Sequence, residues 1–345
     1  MRNVVLLPLL MLSMAISAAD TLPVCQLIAT GGTIAMRPAE PGGAPLPEDS
    51  GEALVAAVPE LADVADMEVL SLYNVPSTHI NPACWARLHE AVTAALSREE
   101  VAAVIVTHGT DVREETAWLL DLTVTSEKPV VLTGAMWDAT SRDFDGPRNL
   151  LAAANIYVDP QSGGRGAMLV MHETIHAGWD VRKGHTAQGG FESGIAGALG
   201  GVRSDGVAFW RRSEWRQHVP LMAGDLPRVD IVAMYPGADG AGIDAAIAAG
   251  AQGIVVAALG LGNVNPAMAE AIEAAIEAGV SVVVSSRVAD GAVAPVYGYA
   301  GGGAGLQAAG AIFSGDPSPQ KARILLMLGL QHAADGDGLQ AYSSR

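Results

Sequence analysis

Val101-Ala-Ala-Val-Ile-Val-Thr107-His108-Gly109-Thr110-Asp111 runs directly into Val112-Arg-Glu-Glu-Thr-Ala-Trp-Leu-Leu-Asp121. An apolar, β-branched run of strand length stops at a glycine, and the segment after it spaces Val112, Thr116, Leu119 and Leu120 along one helical face. The stretch therefore reads strand, turn, helix. In open α/β sheets ligands bind beyond the carboxyl ends of the strands, where such turns collect backbone N–H groups. Upstream, Val24-Cys-Gln-Leu-Ile-Ala29 runs into Thr30-Gly31-Gly32-Thr33, a second turn of the same design. Thr33 and Thr110 face one crevice if their strands lie beside the point where the strand order reverses.

Outward from these two turns the chain alternates. Helices are expected at 52–58, 82–96 and 148–157, with strands at 67–72, 129–134 and 167–171. Residues 34–50 hold four prolines and two glycines and are expected to form an irregular lid beside Thr33. Residues 184–206 are glycine-rich and poorly patterned. Alternation resumes at Val229, with strands at 231–235, 253–259 and 280–286 and helices at 241–249, 267–278 and 320–330. This spacing predicts an α/β protein with a larger, mostly parallel N-terminal sheet domain (20–212), a linker (213–227) and a smaller C-terminal α/β domain (228–345).

The chain has 345 residues, and 20 Lys+Arg against 37 Asp+Glu give a net charge of −17. That balance argues against nucleic acid and against an anionic membrane surface as partners. Residues 1–19 read as a cleaved secretory signal: Arg2, the apolar run Val4 to Ile16, and Ser17-Ala18-Ala19 before Asp20. An exported, periplasmic or secreted protein with no membrane span is expected. Cys25 opens a strand and Cys84 opens a helix toward the other end of the sheet, so the two are expected to stay unpaired.

Three motifs mislead. His172-Glu-Thr-Ile-His176 fits a zinc helix pattern but directly extends a strand, and extended backbone would hold the histidines ~13 Å apart; no metal is expected. Ser318-Pro-Gln-Lys321 reads better as a helix start than as a nucleophile motif. Gly260-Leu-Gly262 is an incomplete dinucleotide fingerprint, and no cofactor is expected.

A threonine hydroxyl attacks an amide only if one group takes its proton and another receives the oxyanion. Thr110 brings a hydroxyl and Asp111 a carboxylate, but neighbouring side chains diverge, so a third group is needed; Lys183 is a candidate. Backbone amides near Gly32 and Gly109 are candidate oxyanion donors. Asp111 also reads as a helix N-cap, and His108 as a turn-packing residue rather than a base.

Thr30-Gly-Gly-Thr-Ile-Ala35 and His108-Gly-Thr-Asp111 resemble the two signatures of the bacterial-type L-asparaginase family. Glu114-Glu-Thr116, Gly134-Ala-Met136, Asp145-Gly-Pro147, Asp180-Val with Lys183, Ser285-Ser-Arg-Val288 and Gln320-Lys-Ala-Arg323 extend the likeness in order along nearly the whole mature chain. The resemblance implies hydrolysis of L-asparagine to L-aspartate and ammonia, with some activity on L-glutamine, by metal-free homotetramers built as dimers of dimers. It implies Thr33 as first nucleophile candidate, Thr110, Asp111 and Lys183 as the activating group, and Ser77, Thr78, Gly32, Gly109 and Asp111 as substrate-binding positions. Two departures stand out. No tyrosine lies between residues 20 and 72, where the family's lid carries one, so Thr33 is expected to be positioned by backbone amides and polar groups of the lid, with Arg37 or Glu40 as candidate contacts; and 291–315 holds no acidic residue, where a neighbouring subunit often offers a glutamate. The alternative function is an exported amide-binding protein without efficient hydrolysis, separable by ammonia release.

Overall fold

The computed structural model describes residues 22–40, 42–187, 189–213 and 216–332. The expected signal segment lies outside them.

The larger sheet is built on β1 (Val24–Gly31), followed by a small ribbon of β2 (Met36–Pro38) and β3 (Pro45–Pro47). Then come α1 (Gly51–Ala56), β4 (Asp66–Val75), α2 (Pro82–Ser97), β5 (Val101–Thr107), α3 (Arg113–Thr123), β6 (Val130–Thr133), α4 (Gly146–Val158) and β7 (Ala167–Met171). β8 (Thr174–Ala177), a short pair β9 (Arg182–Lys183) and β10 (Phe191–Glu192), and β11 (Gly200–Arg203) with β12 (Gly206–Phe209) complete it. The strand order is β12-β11-β8-β7-β6-β5-β1-β4, with β4 to β7 and β1 mutually parallel. From β1 the chain crosses to β4 on one side and returns to β5 on the other. The order therefore reverses at β1 and β5, and the crevice beyond their carboxyl ends is the natural ligand position.

β5 alternates between two packed faces, which is why its sequence is apolar throughout. Ala103 and Ile105 join the cluster with Leu150, Ala153 and Ile156 of α4, whereas Val104 and Val106 pack with Leu88 and Val92 of α2 and Leu120 of α3. Ile105 has no exposure at all, and burying such a side chain stabilises by about 1.5–3 kcal/mol.

The smaller sheet is parallel, ordered β13 (Val229–Ala233), β14 (Gly253–Ala258), β15 (Ser281–Ser286), β16 (Ile312–Phe313). Its helices are α5 (Ala241–Ala248), α6 (Pro266–Glu277), α7 (Gly303–Ala308) and α8 (Pro319–Gln331). Asn81, Asn265 and Ser318 each cap a helix by accepting an N–H three residues on, and each precedes a proline at the first turn. Ser318 is thus a helix start, as the sequence indicates. Both cysteines are free. Among the described residues no helix is long and apolar enough to cross a membrane.

Four expectations need correction. The 34–50 stretch is not irregular throughout: Met36, Arg37 and Pro38 pair antiparallel with Pro47, Leu46 and Pro45. An isolated two-stranded ribbon leaves outward positions that need no donor, so prolines fit it. Residues 184–206 supply β10 and β11, and β12 follows, because glycine permits close strand approach; a Cβ on Gly200 would lie 2.2 Å from the Ala208 carbonyl oxygen. The His172-Glu-Thr-Ile-His176 stretch is not continuous strand. His172 and Glu173 take φ of 46° and 58° and form the two-residue turn that folds β8 back antiparallel on β7. Finally, α7 and β16 arise in a stretch of small residues where periodicity gives no signal.

Candidate active site

Three turns meet above β1, β4 and β5, at distances that only glycine permits. A Cβ on Gly31 (φ +92°) would lie 2.5 Å from the Val75 nitrogen, one on Gly32 (φ +81°) 2.2 Å from the Gly109 nitrogen, and one on Gly109 2.7 Å from the Ser77 Cβ. The glycines thus bring Thr33, Ser77 and Thr110 to one rim. Thr33 opens a short 3-10 turn and is partly exposed.

On the β5 side, the Lys183 ammonium donates to the Thr110 hydroxyl at 2.9 Å and to the Asp111 carboxylate at 2.6 Å. Three residues that the chemistry made candidates and the resemblance grouped therefore converge, although Lys183 lies 73 positions from Thr110. Ser77 donates to the other Asp111 oxygen at 3.3 Å and accepts the Asp111 N–H at 3.1 Å. The hydrogen bond from Lys183 is the main cause holding the Asp111 carboxyl below its ordinary range, with Ser77 and the more distant Arg113 acting the same way. Asp111 is not the N-cap of α3. Val112 holds that position without a side-chain cap, because the Asp111 carboxylate is turned to Lys183 and Ser77. Thr78 follows Ser77 in its turn and is exposed.

Lys183 is held from several sides. Its N–H donates to the buried Glu114 carboxylate at very short range, and β9 pairs Lys183 with Phe191 of β10. Next to it, Arg182 donates to Asp290 with two nitrogens at 2.9 Å, to Glu192 at 2.7 Å and to the Ala289 carbonyl at 2.5 Å. From α8 the buried Lys321 ammonium donates to the carbonyls of Gly178, Trp179 and Val181. Burial pushes this lysine down to about 8. The backbone leading into Lys183 is therefore tied to the smaller domain.

His108 is a packing residue. It is fully buried, and burial pushes it down to about 4; its ring nitrogens meet the Gly109 carbonyl at 2.7 Å and the Thr116 hydroxyl at 3.1 Å. Asp145 also serves the framework, accepting N–H bonds from Met136 and Trp137 and from the Asn149 amide. His172 lies 3.0 Å from Asp145, whereas His176 meets Ser193 at 2.7 Å. The two histidines face different partners, and among the described residues no group of three potential ligands is placed to hold a metal. Arg37 does not reach toward Thr33: it is half exposed and pairs with Asp49 at 2.5 Å, and Glu40 is exposed.

The family description "Asparaginase, N-terminal" matches residues 25–215, and "Glutaminase/Asparaginase C-terminal domain" matches residues 228–342. The chain belongs to the asparaginase family. It is 34% identical to "L-asparaginase 2" of Bacillus subtilis, over 96% of this chain and 88% of that one. It is 36% identical to "Probable L-asparaginase periplasmic" of Haemophilus influenzae, over 96% and 95%. Among solved structures, the "Probable Cytoplasmic L-asparaginase from Campylobacter jejuni" matches with a TM-score of 0.83 at 33% identity, covering 93% of this chain and 98% of that one. Asparaginase relatives thus carry names from both compartments.

Sequence reasoning missed Arg113 altogether and noted Glu114 and Lys321 only within the family likeness, without a supporting role at the site. Each looks like a solvated charge on a helix. The signal was that Arg113 and Glu114 directly follow the Thr110 turn, while Lys321 stands in the first turn of a capped helix.

Proposed function

We propose that this chain is an L-asparaginase that hydrolyses L-asparagine to L-aspartate and ammonia through a threonine nucleophile and an acyl-enzyme, with L-glutamine as a slower substrate. The observation that carries the reading is the Lys183 nitrogen within hydrogen-bond reach of both the Thr110 hydroxyl and the Asp111 carboxylate. A base touching a hydroxyl, itself oriented by a third group, is the general arrangement for activating such nucleophiles. A binding protein that had lost hydrolysis has no use for a largely buried lysine between them.

In this reading the Thr33 oxygen attacks the side-chain amide carbon. Its proton passes through the Thr110–Lys183 pair to the departing nitrogen, so that a C–O ester replaces the C–N bond and ammonia leaves. Water repeats the sequence on the ester, returning a proton to Thr33 and freeing the carboxylate. Amides near Gly32 and Gly109 receive the developing negative charge. Ser77 and Thr78 meet the substrate's α-carboxylate and Asp111 its ammonium. Thr33 is the acylated residue because Thr110 is buried and already committed to Lys183, whereas Thr33 stands partly open across the Gly32–Gly109 contact.

The N-terminal apolar run followed by small residues supports export, and the family resemblance supports a homotetramer assembled as a dimer of dimers. Ammonia release from asparagine by the purified mature protein tests the activity. Thr33→Ala should lower kcat by roughly 10²–10⁴-fold and abolish acyl-enzyme in quenched samples analysed by mass; unchanged hydrolysis would transfer the nucleophile's role to Thr110.

A further inference from the structure

Arg113 opens α3 and has no exposed surface. One guanidinium nitrogen donates to the His108 carbonyl at 2.5 Å, while Nε and the other terminal nitrogen have no hydrogen-bond partner among the described residues. Asp111 and Asp145 attract it only across a distance. From β10, the Phe191 ring lies 5.3 Å from the guanidinium carbon, and Phe191 pairs with Lys183. Just past β6, Gly134 makes the room, since a Cβ there would fall 2.0 Å from a guanidinium nitrogen. Burial pushes Arg113 down to about 9, which leaves it charged at neutral pH.

A buried cation without a hydrogen-bonded counter-charge is an unfavourable way to fill a protein interior. A methionine would occupy the same space without that penalty. The charge is therefore placed where it opposes stability, directly behind the turn that carries Gly109 and Thr110.

We propose that Arg113 is a positioning residue for amide hydrolysis, its guanidinium fixing the His108-Gly109-Thr110 turn and polarising the His108–Gly109 peptide toward the developing oxyanion. The inference rests on the hydrolytic reading above. A cation bonded to a peptide carbonyl strengthens the N–H on the far side of the same peptide as a donor. That N–H belongs to Gly109, at the rim where the two glycine turns touch. Because the charge on the substrate oxygen grows in the transition state, the effect falls on kcat more than on KM.

The test compares Arg113→Met and Arg113→Lys with the unsubstituted enzyme in steady-state kinetics on asparagine and in thermal unfolding. The Met variant should lose roughly 10–100-fold in kcat with KM changed less than about 3-fold. It should also melt roughly 2–5 °C higher. The Lys variant, which keeps a cation near the His108 carbonyl, should recover most of the kcat. A Met variant with full kcat overturns the proposal, and so does one that loses kcat and melting temperature together without rescue by lysine. Absence of ammonia release from the unsubstituted protein overturns the hydrolytic reading instead. The melting comparison then still decides on Arg113, because a Met variant that melts lower makes the arginine an ordinary packing element.

Discussion

Lys183 touches two other site residues through one nitrogen and is itself presented by a strand of two residues. Lys183→Met should lower turnover by roughly 10²–10⁴-fold, with far-ultraviolet circular dichroism unchanged; retention of full activity would remove lysine from the mechanism. The same substitution frees Asp111 of its main stabilising partner. A carboxyl held below its ordinary range adds stability above that range, and the contribution is lost as pH falls through the lowered value. The unfolding curves of the two proteins should therefore converge in acid, with a gap of less than about 1 kcal/mol at neutral pH because Asp111 is half exposed. Thr110 and Asp111 were legible from their place after a strand and a glycine. Lys183 was legible as a role to be filled, and the resemblance picked it out. Arg113 was not legible, since an arginine in the first turn of a helix ordinarily faces water.

At the scale of elements, α3 carries more charge inward than its sequence advertises. Glu115 is pushed up to about 7, first by burial and then by neighbouring Glu114, against the opposing pull of Arg323. For a raised acid, the folded state holds its proton longer than the unfolded state, so stability is full below the ordinary glutamate range and is lost as pH rises through about 7. Glu115→Gln should thus stabilise by about 1–3 kcal/mol at pH 8 and by nothing near pH 4, measured by denaturant unfolding at both. The regular elements around α3 were readable because each carries a periodic pattern and three carry an Asn-Pro or Ser-Pro start. The β7–β8 turn was misread because His172 and Glu173 lack the glycine or asparagine that announces left-handed backbone. The ribbon of β2 and β3 was missed for the opposite reason: its prolines argue against strands unless the pairing is an isolated one.

At the scale of the molecule, two sheets meet across a packed boundary of Trp118, Trp179, Val219, Ile324, Leu325 and Leu328. Trp118 donates to the Lys321 carbonyl at 3.1 Å, and its ring meets Trp179 edge-on at 4.6 Å. Alternating strands and helices announced two α/β lobes, but nothing in the spacing says how they dock. The contacts that matter join side chains to backbone about 140 positions away. Lys321→Met would remove the ammonium that the Gly178, Trp179 and Val181 carbonyls share. It should destabilise by about 2–4 kcal/mol and lower kcat more than KM, whereas a normal kcat in the folded variant would show that Lys183 keeps its place unaided.

The grip of α8 on the approach to Lys183 also orders events in time. Ribosomes deliver the Thr33 and Thr110 turns early, and the larger sheet has all its strands long before α8 is made. Until that helix docks, the carbonyls of Gly178, Trp179 and Val181 lack the Lys321 ammonium, and the backbone leading into Lys183 lacks its tie to the smaller sheet. The approach to Lys183 is therefore completed late, with the last described element of the polypeptide.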